Sequence, residues 1–146
     1  MKAEKKQRGN AMLEFVIGFS LLWALFVGVY QFGYTFFIYN RLMTAVTNAT
    51  ALGSKLTYDT ANASQFSNAV TNMVLYGSTT SGTTTLLPGL SSSNVSVSVN
   101  PRNSMPTNVT VTINNLTINA LFRTFSFNGK PTVTMAYIGQ ITCSTC

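Results

Sequence analysis

From Ala11 to Tyr39 the chain reads AMLEFVIGFSLLWALFVGVYQFGYTFFIY, an apolar run whose only formal charge is Glu14. A helix needs roughly 20 apolar residues to cross a bilayer core, and Phe15 to Ile38 supplies them. A cleaved secretory signal has an apolar core of about 7–15 residues followed closely by small residues. This core is longer, and the nearest A-x-A, Ala49-Thr50-Ala51, lies well past its end. The pattern predicts a retained membrane helix. Beyond Arg41 the run becomes a stripe. Leu42, Ala45, Val46, Ala49, Leu52 and Leu56 recur at intervals of three and four, the spacing of one helix face. The helix is therefore expected to run from 11 to about 56, on the order of 70 Å at 1.5 Å per residue. Gly53 is its first weak point, and its outer half requires something to pack against.

Asp59 to Ala63 reads as a break. Ser64 is an expected N-cap, Phe66, Ala69, Val70 and Met73 repeat at helical spacing, and Gly77 is a stop signal. These predict a second helix at about 64–76. The polar stretch GSTTSGTTT, 77–85, has no periodicity and reads as a mobile linker. Then the period changes to two. NVSVSV at 94–99 and NVTVTI at 108–113 each place three branched apolar residues on one face. The intervening NPRNSMP, with Pro101 and Pro106 unable to donate ladder bonds, is expected as a turn. Residues 131–141 form a third candidate strand after the turn chemistry of Asn128-Gly129, and INALFRTFSF, 118–127, is expected as a short helix or an edge-covering loop. The expected fold is α+β: a long N-terminal transmembrane helix extending into a small antiparallel β-sheet domain. The chain divides into a leader at 1–9, the transmembrane and extended helix at 10–57, and an extracytoplasmic α+β domain at 58–146.

Charge refines this picture. The net charge of +6 would suit a nucleic-acid binder, but its distribution does not. Lys2, Lys5, Lys6 and Arg8 against Glu4 put a net +3 on the first nine residues, and Arg41, Lys55, Arg102, Arg123 and Lys130 are scattered singly. No basic stripe forms, and no nucleic-acid partner is expected. Four basic residues precede the span and only Arg41 follows it closely, so the positive-inside rule puts the N-terminus in the cytoplasm. Tyr30, Tyr34, Phe36, Phe37 and Tyr39 crowd the distal end like an interfacial belt.

The chain has no His, and beyond the leader only Glu14 and Asp59 carry side-chain carboxylates. A Ser/His/Asp triad or a His-based metal site cannot be built. No enzyme activity, cofactor or metal is expected. Cys143 and Cys146 stand at C-x-x-C spacing, but with Cys146 as the last residue no helix opens after them to activate a thiol. A structural disulfide in an oxidising compartment is the expectation, with free or intermolecular thiols and a metal site shared between chains as the alternatives. Five N-x-S/T sequons, at Asn48, Asn62, Asn94, Asn108 and Asn115, arise by chance in a chain this rich in Asn, Ser and Thr.

Glu14 then needs an explanation. A carboxylate deep in a bilayer costs about 2.5–3.5 kcal/mol on insertion scales. Gly9 directly precedes Asn10, and Glu14 is the fifth residue counting from Asn10. A basic leader, a Gly and a Glu at position five of an apolar helix resemble the arrangement of type IV prepilins and pseudopilins. Residues 8–17, RGNAMLEFVI, resemble the N-terminal signature of the TadE-like pseudopilins of tight-adherence (Flp, type IVc) systems, roughly R-G-x-A-x-V-E-F-A-L. FVGVYQFGYTF at 26–36 and NATALGSK at 48–55 resemble two later stretches of that family, with Gln31 where a Glu is usual. The resemblance implies a pilin-like fold, with cleavage between Gly9 and Asn10 and assembly through Glu14 and Phe15. It implies as partners other pilins or pseudopilins, a prepilin peptidase, an inner-membrane assembly platform and the lipid bilayer. A type II secretion pseudopilin and an unprocessed bitopic binding module are the alternatives.

Overall fold

The apolar run and the stripe after it form one uninterrupted helix, α1 (Glu4–Lys55), in a computed structural model that describes residues 4–102, 105–120 and 123–139. Its 52 residues span about 78 Å at 1.5 Å per residue. The most apolar 18-residue window in it has a mean hydropathy of 2.1, and none of that window is buried. A core helix of that hydropathy would be covered, so the exposure fits a single-pass membrane anchor. Burial begins at Ile38 and follows the stripe through Leu42, Ala45, Val46 and Ala49. The outer part of the helix thus finds its partner: α1 packs on a second helix and on the apolar face of a sheet.

Gly53 is not the weak point its type suggested. The helix runs through it, and a Cβ there would lie 3.1 Å from Val70 Cγ2 and 3.2 Å from Val109 Cγ1. The missing side chain lets α1 approach both neighbours at once. The buried Thr50 hydroxyl donates to the Val46 carbonyl at 2.7 Å, which satisfies it without a partner from another element.

Asp59 caps a single 3₁₀ turn, Thr60–Asn62, by accepting from the Ala61 amide. That turn leads straight into α2 (Ala63–Tyr76). The cap is Asn62, not Ser64, because the turn already sets the entry direction. Phe66, Val70, Val74 and Leu75 are buried, and Gly77 ends the helix at φ 71° with its amide on the Met73 carbonyl. The polar stretch that follows is tied down at its far end. The Leu86 amide donates to the Leu75 carbonyl at 2.7 Å, and Leu87 and Leu90 are buried in the core.

Five strands follow: β1 (Val95–Arg102), β2 (Met105–Ile113), β3 (Leu116–Asn119), β4 (Thr124–Phe127) and β5 (Thr132–Ala136). They form a three-stranded antiparallel sheet, β1-β2-β5, and a separate β3-β4 ribbon. In the sheet Val97, Val111 and Val133 share a row. Val109, Val111 and Ile113 are buried against the helices. The outward face is hydroxylated, with Thr110 against Thr134 at 2.8 Å and Thr132 against Thr112 at 3.2 Å.

Three further expectations are corrected. The two prolines do not mark a broad turn: Pro101 faces Pro106 inside the ladder, and a bulge between Asn100 and Pro101 absorbs the irregularity. Within 118–127, expected as a short helix or a loop, the described residues are mostly strand: β3 runs to Asn119 and β4 from Thr124 to Phe127, paired from Leu116↔Phe127 to Asn119↔Thr124, and residues 121 and 122 fall outside the described residues. The alternation of Leu116 and Ile118 on the buried side makes that ribbon. The third strand, expected over 131–141, is shorter: it ends at Ala136, where the chain turns to α1, and residues 140 and 141 fall outside the described residues.

Candidate functional site

The foot of α1 carries the residues of interest. Gly9 and Asn10 lie within its first two turns, and Glu14 stands four residues after Asn10 on the same continuous helix. Residues four apart on a helix are neighbours on one face, with Cβ atoms roughly 5–6 Å apart. The backbone therefore places Glu14 one turn from the Asn10 nitrogen on the same face, and no loop intervenes. Both side chains are exposed. Phe15, 71% exposed, begins a ladder of rings: Phe15–Phe19, Phe19–Trp23 and Trp23–Phe26 stack with centroids 5.9, 6.3 and 6.1 Å apart. Ser20, the one hydroxyl in this stretch, turns inward and donates to the Val16 carbonyl at 2.8 Å. The foot thus offers surrounding lipid or protein an apolar surface on which Glu14 is the one formal charge from Asn10 to Asn40.

At the other end of the span the domain reaches down onto the helix. Tyr39 packs on Phe127 with centroids 5.8 Å apart, and Gln31 Nε2 approaches the Arg123 carbonyl at 3.5 Å. The expected aromatic belt is therefore divided. Tyr34 and Tyr39 turn toward the domain, while Tyr30, Phe36 and Phe37 stay exposed. Beside them Arg41 lies over the Phe37 ring, 5.3 Å from its centroid, at a groove between α1 and residues 73–87. Sequence reading used Arg41 only as a charge flanking the span and gave no sign of this groove, because its two walls are far apart in the chain.

The chemistry on offer is not catalytic in kind. Among the described residues no group of three or more His, Cys, Asp or Glu could hold a metal. Asp59 has its carboxyl held below the ordinary 3.8 by hydrogen bonds from the Ala61 amide and the Asn62 side chain. It is fully exposed and acts as a turn former. Cys143 and Cys146, expected to form a disulfide, lie outside the described residues.

Residues 9–50 match the family of TadE-like proteins. The match begins on Gly9 and ends at Thr50, so it covers the foot, the span and most of the buried stripe but none of the sheet. It agrees with the resemblance carried by residues 8–17, and the family implies association with tight-adherence pilus components in general terms. No curated protein and no solved structure matches this chain.

Proposed function

We propose that this chain is a minor pilin or pseudopilin of a tight-adherence type IV pilus. It is cut between Gly9 and Asn10 by a prepilin peptidase and acts in assembly or priming, with no catalytic role of its own. The observation that carries this is the placement of Gly9, Asn10 and Glu14 on one unbroken helix, inside the segment that matches the TadE-like family. The basic leader supports an orientation with the N-terminus in the cytoplasm and the sheet domain outside the inner membrane.

Cleavage creates an α-amine on Asn10 that is largely protonated near neutral pH. Glu14, a turn away, gives its own chain a carboxylate that is expensive in apolar surroundings. As two helices slide together, the carboxylate of one meets the amine of the next. The pair is favourable in one register only, so an unpaired Glu14 drives association and also sets the stagger. Phe15 and the ring ladder above it supply apolar contact on either side.

The bond to be cut lies inside α1. A peptidase that reads an extended segment must first unwind the leader. Glycine in a helix interior is worse than alanine by roughly 0.5–1 kcal/mol, so Gly9 lowers the cost of opening the helix at the scissile bond and leaves room for the approaching enzyme.

The test is the intact mass of the protein extracted from membranes of its native host. A chain beginning at Asn10 is the expected result. A chain that keeps the residues before Gly9 overturns the pilin reading and leaves an unprocessed bitopic module.

A further inference from the structure

The groove beside Arg41 is a half-open cleft at the level where the apolar span ends. Its volume is about 610 Å³, within the roughly 300–1,000 Å³ typical of small-molecule sites. One wall is α1 from Gly33 to Asn48, and the other is Met73, Gly77, Leu86 and Leu87. The groove is graded. On the helix its lower part is apolar, with Phe36 and Phe37 exposed, and Leu86 of the other wall is 45% exposed. Further up, α1 adds the polar Asn40, Arg41, Thr44 and Asn48, set among apolar Ala45, Met73 and Leu87.

The groove continues downward. A shallower trough runs from Ala24 over Gly28 to Gly33 and Phe36, and the last two residues line both depressions. Gly28 and Gly33 have nothing within 4 Å of where a Cβ would stand, so the trough floor is open. From Ala24 to Phe36 the helix rises about 18 Å, close to the ~15 Å of one leaflet of a ~30 Å hydrocarbon core.

Charge decides what fits. Among the described residues Arg41 is the only charged one in the lining. No Asp or Glu occurs between Glu14 and Asp59. A second copy of α1 in the same membrane would bring no carboxylate to Arg41, because its Glu14 lies 27 residues away, about 40 Å lower along the helix. A phosphodiester matches the guanidinium directly, and the amide and hydroxyl groups above it suit a polar headgroup.

We infer that this groove binds one anionic phospholipid from the domain-side leaflet, with its phosphate at Arg41 and an acyl chain along the Ala24–Phe36 trough. The inference rests on α1 spanning a membrane and not on the pilin reading. An uncleaved chain would bind the same lipid, so failure of either reading is read separately.

The full chain in nanodiscs of mixed phosphatidylglycerol and phosphatidylcholine, released for native mass spectrometry, tests it. The wild type is expected to retain one phospholipid per chain, with phosphatidylglycerol enriched about tenfold: both lipids offer a phosphodiester, but the choline cation of phosphatidylcholine offsets its charge beside the Arg41 guanidinium. Arg41→Gln should bring the enrichment close to parity. Gly33→Leu, which fills the trough where no Cβ contact exists, should lower retention of both phospholipids while circular dichroism stays unchanged. No retained phospholipid, or retention that neither substitution alters, overturns the site. A headgroup preference that survives Arg41→Gln overturns the phosphate assignment. A second copy cross-linked into the groove, with no lipid, would make it a contact between chains.

Discussion

Tyr137→Phe tests how the domain holds the end of the long helix. The last carbonyls of any helix lack intrahelical donors. Here the residues just after β5 supply them. The Ser54 carbonyl accepts from the Ile138 amide at 2.9 Å and the Gly139 amide at 3.1 Å. The Tyr137 hydroxyl donates to the Leu56 carbonyl at 2.7 Å and accepts from the Tyr58 amide at 2.9 Å. Phenylalanine keeps the ring and removes both bonds. Each is worth about 0.5–1.5 kcal/mol net, and the site is half-buried, so water can reach some of what is left. The expected local loss is about 1.5 kcal/mol. Amide hydrogen exchange on the full chain in detergent micelles reads it directly, since local opening has its own free energy. The Tyr58 amide should exchange roughly tenfold faster, while the Ile138 and Gly139 amides stay within about a factor of two of wild type. An unchanged Tyr58 rate refutes the latch. An equal acceleration at Tyr58 and at the core amide of Val111 refutes its local character.

On the proposed pilin role, Glu14→Ala should leave the protein inserted and folded but impair its recovery with pilus subunits; undiminished co-assembly removes the register role. Gly53→Val places methyl groups where even a Cβ meets Val70 and Val109 near 3.1 Å. It should cost about 1–3 kcal/mol of overpacking, seen as a lower denaturation midpoint of the sheet domain, and an unchanged midpoint would show that the helix can retreat. Asp59 has its folded pKa held below 3.8 by hydrogen bonds, so its contribution is complete above that value and is lost as pH falls through the lower folded one. The Ala61 amide, its partner, should therefore lose protection only in that acidic range, and an Asp59→Ala variant should lose the pH dependence.

What could be read from the sequence was what is local. The stripe from Leu42 to Ala49 repeats often enough to fix a helix and its buried face, and it did so correctly. Gly9, Asn10 and Glu14 are likewise related by helical spacing alone. Gly53 was misread because its residue type signals weakness, whereas its role depends on Val70 and Val109 arriving from other elements. The β3-β4 ribbon was missed because four-residue strands give only two alternations each, too few to separate from a loop. The facing prolines were misread because a missing donor shows in the sequence but the register does not. The groove was illegible for a different reason: one of its walls follows α1, while the other includes residues on either side of a polar stretch with no period.

No hinge separates the anchor from the domain. The core closes on α1 from Ile38 onward, directly above the apolar span and within the same helix. The domain is therefore a rigid handle on the membrane helix, with no tether to swing on. A bilayer that thins by a few ångströms makes a span of fixed length tilt further. That tilt is passed undiminished along the helix and sweeps the sheet sideways across the membrane surface. Which flank of the domain meets a neighbour is then set partly by the thickness of the membrane in which the helix stands.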